Sequence, residues 1–456
     1  MNRGSFGVGV FAALALTACQ TSGSARVETA LAEQFAQLPE EWQTVSSQAT
    51  QPQNWQTLFD DGQLSDYLSR AEASNLDFKE AQARLRQSEA SLRQTRALLG
   101  PSVSADLGIT GFAELADLGN TSDSASSTLS SSFDPDIFGV NRARVRAAEA
   151  QFQLQKANTE RLRRVILAQT SRAYIQIIEA DLQLLLAQEN LSFLEETKRV
   201  SEARFDAGDI ARSDLALAEL EFENAVAGLR NQEFAARAAR RALSVVIGDF
   251  GDDDLRVAMT LPAPAILGLS PVPADLLQAR NDILSARVAL ALEIANLEVA
   301  EKANWPSLRL TGRISSTGAQ LTDLFDPDFY LASLGASLGG VLFDSGRNAA
   351  EIDAANARLD AALLVYSDVL RTAVFEVNNS FDEIETLTRA LAALERGRVS
   401  AEEALALEQI KFDLGETILL DVLTVQRRVN AIRGSRIATE RRLLDAQISA
   451  YLALGG

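Results

Sequence analysis

Apolar side chains at Ile352, Ala355, Leu359, Leu363, Tyr366, Leu370, Val374, Val377, Phe381 and Ile384 recur at steps of three or four, about 3.6 residues apart, which is the period of one face of an α-helix. Proline is missing from 348 to 412 and from 141 to 205. Each stretch therefore predicts one unbroken helix of about 65 residues, near 100 Å of length. Shorter helical patterns run over 75–99, 213–247, 281–304 and 418–454. In each half the two short helices sum to about 90 Å, so stacked end to end they match one long helix. Elsewhere the period falls to two. Val103, Ala105, Leu107 and Ile109 alternate with small or polar residues over 102–111; Leu308, Leu310 and Ile314 alternate with Arg309, Thr311 and Arg313; and Ala332, Leu334, Ala336, Leu338, Gly340 and Leu342 mark one face of 330–343. These are strand patterns of bilayer-spanning length. A fourth strand is expected near 125–133, where only Leu129 and Phe133 are large and apolar.

The chain is a tandem duplication with a period of about 205 residues, too long for a solenoid. Asp77 and Pro101 answer to Asp282 and Pro306, and Gly139, at the opening of one long helical run, answers to Gly346. The strongest copy sets Arg204-Phe205-Asp206-Ala207-Gly208 with Asp214 against Lys411-Phe412-Asp413-Leu414-Gly415 with Asp421. The expected organisation is a signal segment at 1–18, an N-terminal anchor and extended or equatorial segment at 19–64, a first repeat at 65–247, a linker at 248–272 and a second repeat at 273–456. Each repeat reads helix, two strands, long helix, turn, helix.

Composition removes most chemistry. The chain has 456 residues, no histidine and one cysteine, so imidazole bases, zinc motifs and disulfide frameworks are out of reach. No phosphate-binding glycine loop appears either, and the expectation is no enzyme and no cofactor. A net charge of −19 has the wrong sign for gripping nucleic acid or an anionic bilayer surface. The lone cysteine has a different explanation. Arg3, the apolar run 6–16 and Leu16-Thr17-Ala18-Cys19 form an export signal ending in a lipobox-like tetrapeptide. It is too short to span a bilayer as a helix, and Cys19 would be the lipidated first residue of the mature chain. Gln20 is not the aspartate of inner-membrane retention, so outer-membrane delivery is expected.

No other run is apolar enough for a helical span, so a bilayer crossing must be made by strands. Four strands cannot close a membrane barrel, because open edges leave backbone groups unpaired in lipid; the chain must oligomerise, with eight strands in a dimer or twelve in a trimer. The lipobox, Pro101-Ser102 and Pro306-Ser307, the openings Phe138-Gly139 and Phe343-Asp344-Ser345-Gly346, and above all KFDLGETILLDVLTVQ at 411–426 resemble the TolC-like outer membrane efflux channels, lipoprotein branch. That resemblance covers about 65–454. It implies a mainly α-helical protein with a transmembrane β-barrel portion: a homotrimer with a twelve-stranded β-barrel and a twelve-helix α-barrel in the periplasm. It also implies an adaptor protein and an inner membrane pump as partners, lipid contact in the outer membrane, and a role as exit duct of a tripartite efflux system. The competing reading is a lipid-anchored coiled-coil envelope spacer without a pore, which the bilayer-length strand patterns disfavour.

In such channels the tunnel tip closes by inward coiling of helices near the duplicated turn, where aspartates ring the axis. The resemblance puts Asp421 at the first ring position and Thr424 at the second, where a carboxylate is missing. It sets Phe412 and Thr417 at the places of a tyrosine and an arginine that hold the gate closed through the aspartate matched by Asp214. Neither is expected to make those charged or hydroxyl-to-carboxylate links, so the lock must be built differently. A second reading of Asp214 and Asp421 is helix-start chemistry, with Ser213 and Thr417 as N-caps. Gly208 and Gly415 read as helix C-terminal residues that let the hairpins reverse. Trp305 suits a membrane interface, Arg309 and Arg313 either line a lumen or pair with neighbouring acids, and Asp249, Asp252, Asp253 and Asp254 read as a solvated loop.

Overall fold

The structure, a computed structural model, describes residues 22–36, 55, 58–114, 117–251, 254–265 and 280–456. The signal segment, Cys19, Asp252 and Asp253 lie outside these residues. In chain order the helices are α1 (Ser22–Ala36), α2 (Gly62–Ser74), α3 (Leu76–Arg96), α4 (Val140–Asp206), α5 (Arg212–Val246), α6 (Asn281–Lys302), α7 (Arg347–Asp413) and α8 (Leu419–Ala453). The strands are β1 (Ser102–Glu114), β2 (Asp117–Phe133), β3 (Ser307–Gly318) and β4 (Tyr330–Gly339). The fold is mainly α-helical with one four-stranded antiparallel sheet. Both long helices, α4 and α7, have 67 residues, about 100 Å each. No described helix is long and apolar enough to cross a membrane.

Packing divides the chain into two compact units. One comprises the described residues of Met1–Leu38, Arg93–Ala150 and Leu290–Leu364; the other comprises those of Pro39–Leu92, Gln151–Ala289 and Val365–Gly456.

The first unit carries the sheet, in the order β1-β2-β3-β4. Its register pairs Ala105 with Leu129, Leu129 with Ile314, and Ile314 with Ala332. Side chains alternate across a strand, so this register collects Val103, Ala105, Leu107, Ile109, Leu129, Phe133, Leu308, Leu310, Ile314, Ala332, Leu334, Ala336 and Leu338 on one face. Most of these side chains are exposed in the single chain. Where side chains are described, the opposite face is built from Ser, Thr and Gly with Leu331, Asp106, Arg309 and Arg313. Two differences from the sequence pattern have physical causes. β2 is longer than the expected 125–133, because the β1 ladder continues to Glu114 and carries 117–124, which β3 does not reach. β4 stops at Gly339 rather than continuing to Phe343. The ladder ends at the Ser307–Gly339 pair, next to Pro306, which has no N–H to donate.

In the same unit α1 occupies part of the stretch expected to be extended. Val27, buried, and Leu31, one helical turn on, pack with Leu290, Leu297, Ala355 and Leu359, and Arg26 pairs with Asp360 at 2.8 Å. Trp305 stacks on Phe138 with ring centroids 5.4 Å apart, so an aromatic pair sits between β3 and the start of α4.

The helical unit is centred on Leu68, Leu167, Tyr174, Ile175, Ile178, Leu243 and Ile448, each contributing about 1.5–3 kcal/mol through removal from water. Tyr174 donates to Asp61 at 2.8 Å, the residue that also caps α2 through Gln63 N–H. Burial, with the Asp61 carboxylate beside it, pushes the Tyr174 phenol well above its ordinary pKa.

Within this unit the short helices are spliced end to end, once per repeat. Asn75 caps α3, its Oδ1 accepting from Phe78 N–H at 3.0 Å, while its Nδ2 donates to the last carbonyl of α5, that of Val246, at 2.8 Å. One repeat later the job falls to Arg280. Its Nη1 donates to the last carbonyl of α8, that of Ala453, at 2.9 Å. Its other nitrogens hold Asp282, in the first turn of α6, at 2.7 Å and Glu376 of α7 at 2.5 Å. Next to the first splice Gly248 has φ +85, and a Cβ there would lie 2.6 Å from the Ser74 carbonyl oxygen.

Candidate functional site: the paired hairpin turns

α4 turns into α5, and α7 into α8, with the same backbone. Gly208 (φ +81) and Gly415 (φ +76) take the left-handed conformation that side chains resist. In the first turn Gly208 N–H donates to the Phe205 carbonyl at 2.9 Å and Asp209 N–H to the Arg204 carbonyl at 2.8 Å. In the second, Gly415 N–H reaches the Phe412 carbonyl at 3.1 Å and Glu416 N–H the Lys411 carbonyl at 2.8 Å. Both are Schellman endings, which satisfy carbonyls that the helix end would leave unpaired.

The next helices start with Ala211 and Ile418 as caps, neither offering a side-chain acceptor. The expected caps fall elsewhere: Ser213 lies inside the first turn of α5, and Thr417 sits one residue before the cap of α8. Asp214 and Asp421 occupy the same position, third in their helices, where a carboxylate suits the positive helix end. Their hydrogen bonds differ. Asp214 Oδ2 accepts from its own turn, Ala211 N–H, at 3.3 Å. Asp421 Oδ2 accepts from the Thr417 hydroxyl at 2.8 Å. Thr417 thus makes a hydroxyl-to-carboxylate link, though not the one to Asp214 that the resemblance concerns. Its partner is Asp421 four residues on, not Asp214, because the extended cap at Ile418 sets the hydroxyl beside the open first turn of α8.

Phe412 also has a charged partner that sequence reasoning missed. The Arg204 guanidinium lies 4.4 Å from the Phe412 ring centroid, crossing from one turn to the other, while Arg212 lies 5.8 Å from Phe205 within the first turn. A basic residue precedes the phenylalanine in both copies, Arg204 and Lys411, and that was the available signal. Lys411 binds Glu408 at 2.7 Å; this contact, with the nearby Glu416 and Asp421 charges adding to it, raises the lysine pKa above its ordinary value.

Behind the turns all four helices share one apolar cluster. Leu194 of α4, Ala218 and Ala225 of α5, and Leu419 and Leu423 of α8 are buried, with Phe412 of α7 packed against them. Thr424, half-buried, has its hydroxyl 3.5 Å from the Arg427 guanidinium, and Arg427 lies 3.9 Å from Glu221 of α5. The turns therefore carry exposed acids at their surface and a packed junction beneath. Among the described residues no group of acids or cysteines gathers that could hold a metal. Asp249 pairs with Arg70 at 2.6 Å.

A duplicated helical hairpin, a four-stranded sheet with one mainly apolar face and edges unpaired among the described residues, and acid-bearing turns are the features of a channel-forming outer membrane protein. A sequence profile described as outer membrane efflux protein matches residues 67–249 and 272–456. The chain belongs to the outer membrane efflux protein family, a family of transport channels.

Among its relatives, the pyoverdine export outer membrane protein OpmQ of Pseudomonas aeruginosa is 28% identical over 464 residues, covering 97% of this chain and 96% of that one. The cation efflux system protein CusC of Escherichia coli (strain K12) is 26% identical over 454 residues, covering 97% of each. A crystal structure of the open state of the Neisseria gonorrhoeae MtrE outer membrane channel is similar with a TM-score of 0.81 at 25% identity, covering 92% of this chain and 96% of that one.

Proposed function

We propose that three copies of this chain assemble into an outer membrane channel-tunnel, the exit duct of a tripartite efflux pump. The observation that carries this reading is the sheet. It has one face rich in large apolar side chains, with Ser127, Ser131 and Ser316 among them, and a mostly polar opposite face, and β1 and β4 lie at its edges with no partner on their outer sides among the described residues. In a bilayer such edges must be paired, and three copies give twelve strands, enough to leave a lumen where eight would be filled by side chains. The apolar face then meets lipid and the Phe138–Trp305 pair stands at an interface. Two hairpins per chain supply the helices of the periplasmic tunnel, which an adaptor protein couples to an inner membrane pump. Relatives named for pyoverdine export and for cation efflux share this family, which fits a duct whose cargo is chosen elsewhere in the pump.

The gate lies at the paired turns. Asp421 and Asp214 from three chains constrict the tunnel end, with Thr424 on the pore side of the same helix. Phe412, under Arg204, and Thr417, on Asp421, hold the turns in the closed arrangement. Cys19, lipidated after removal of 1–18, anchors the mature N-terminus in the outer membrane.

Two measurements test this. Electron microscopy of the full chain in detergent should show three-fold particles; a dispersed monomer would support a lipid-anchored spacer instead. Mass spectrometry of membrane-extracted protein should find acyl groups on Cys19, and an unmodified start elsewhere would remove the anchor.

A further inference from the structure

Where its side chains are described, the polar face of the sheet carries a charge of the opposite sign to the protein as a whole. Register places Ser102, Ser104, Asp106, Gly108 and Thr110 of β1, the even-numbered residues 124–132 of β2, Ser307, Arg309, Thr311, Arg313, Ser315 and Thr317 of β3, and the odd-numbered residues 331–339 of β4 on this face. Apart from Leu331 and the three charged residues, every side chain there is Ser, Thr or Gly. Small side chains cannot screen or cover a guanidinium. Arg313 stands opposite Ser130 and Ser333, and Arg309 opposite Ser337. Both are exposed, and among the described residues neither has an ion-pair partner.

Asp106, the one acid on this face among the residues whose side chains are described, is aligned through Thr128 with Ser315. That places its backbone two strands and two residues from that of Arg313, about 12 Å away. The two arginines are four residues apart on one strand, about 13 Å along it. Among the described residues, therefore, these arginines do not pair with neighbouring acids.

We propose that Arg309 and Arg313 form an anion-binding segment of the barrel lumen, selective for multivalent anionic solutes. This rests on the trimeric barrel reading, which turns the polar face inward and sets six guanidinium groups at two heights against three Asp106 carboxylates. Guanidinium forks bind carboxylate and phosphate oxygens in pairs, and pore-lining arginine rings favour anions. In a chain of net charge −19 these rings are a local reversal. An anionic solute that has passed the acidic turns finds attraction, rather than repulsion, on its way out. The lumen is wide, so the effect falls on multivalent anions and leaves small-ion selectivity to the narrower turns.

The test is block of single-channel current by inorganic tripolyphosphate, added to each side of a planar bilayer holding the full-length protein. In wild type, block from the barrel side should need at least tenfold less tripolyphosphate than in R309S/R313S, while R309K/R313K should keep most of the block. Ser130→Asp, which sets a carboxylate opposite Arg313 without removing either arginine, should weaken block several-fold and serves if the double serine variant fails to assemble. Equal block in wild type, R309S/R313S and Ser130→Asp would overturn the assignment while leaving the channel intact. A wild-type protein that opens no channel would overturn the barrel reading and this inference with it.

Discussion

The two hairpin turns and the two helix splices are both duplicated, yet they diverged in opposite ways. At the turns the residue types persist: a phenylalanine, an aspartate and a glycine in each, followed by a second aspartate, with the same Schellman hydrogen bonds. At the splices the job persists while the residue changes, from neutral Asn75 to Arg280 with its two acids. A left-handed backbone position accepts glycine and little else, so the turn keeps its letters. A helix-end carbonyl accepts any well-placed donor, so the splice does not. Even at the turns, one substitution redirects a functional side chain. Thr417 corresponds to Ile210 of the first copy, which has no hydroxyl, and Asp214 bonds its own backbone instead.

The largest effect is expected where backbone fit and backbone conformation coincide. Gly248→Val places a side chain against the Ser74 carbonyl at positive φ and should cost about 3 kcal/mol or more. Gly415→Val, whose Cβ meets nothing within 4 Å, should cost only the conformational part, about 1–2 kcal/mol. Thermal unfolding of the detergent-solubilised protein separates the two, and equal losses would show that the close approach at Gly248 is relieved by movement.

The splices should differ next. Arg280→Met leaves Asp282 partly buried without its cation and should cost about 3 kcal/mol, against about 1–2 for Asn75→Ala. They also differ in pH response. Burial by itself would raise the Asp282 carboxyl, but the Arg280 hydrogen bonds and charge, with Ile283 N–H, outweigh it and hold its pKa below the ordinary aspartate value. The pair therefore contributes fully above the unfolded-state value, about 4, and its contribution is lost as pH falls through the lower folded value. Hydrogen exchange at the start of α6 should accelerate on strong acidification while the start of α3 does not; parallel acceleration would mean that Asp282 does not govern the second splice.

A smaller effect belongs to Thr417. Thr417→Val should cost about 0.5–1 kcal/mol, seen as faster exchange in the first turn of α8, and Thr417→Ser should restore the wild-type rate. Identical rates in all three proteins would leave the Asp421 contact without weight.

Much of this architecture was legible in the residues because helix length and strand alternation are local properties. The missing prolines announce α4 and α7, and the twofold pattern announces β1, β3 and β4. β2 was faint because its serines have little strand propensity of their own, and α1 because 15 residues with Val27 and Leu31 as anchors show little pattern of their own. At the turns, residue type alone suggests left-handed glycines and helix-start aspartates. The caps were misread because Ser213 and Thr417 are good capping residues that sit one place inside and one place outside the true caps. Arg204 over Phe412 depends on how two distant hairpins meet, which no spacing within either copy records.

The most direct test of the turns as the conducting constriction is the reversal potential of single channels in a planar bilayer under a salt gradient. Wild type should prefer cations, and Asp421→Ala should move the reversal potential toward zero with little change in resting conductance. A reversal potential unchanged by Asp421→Ala would take this aspartate out of the pore and leave it as the third residue of a helix.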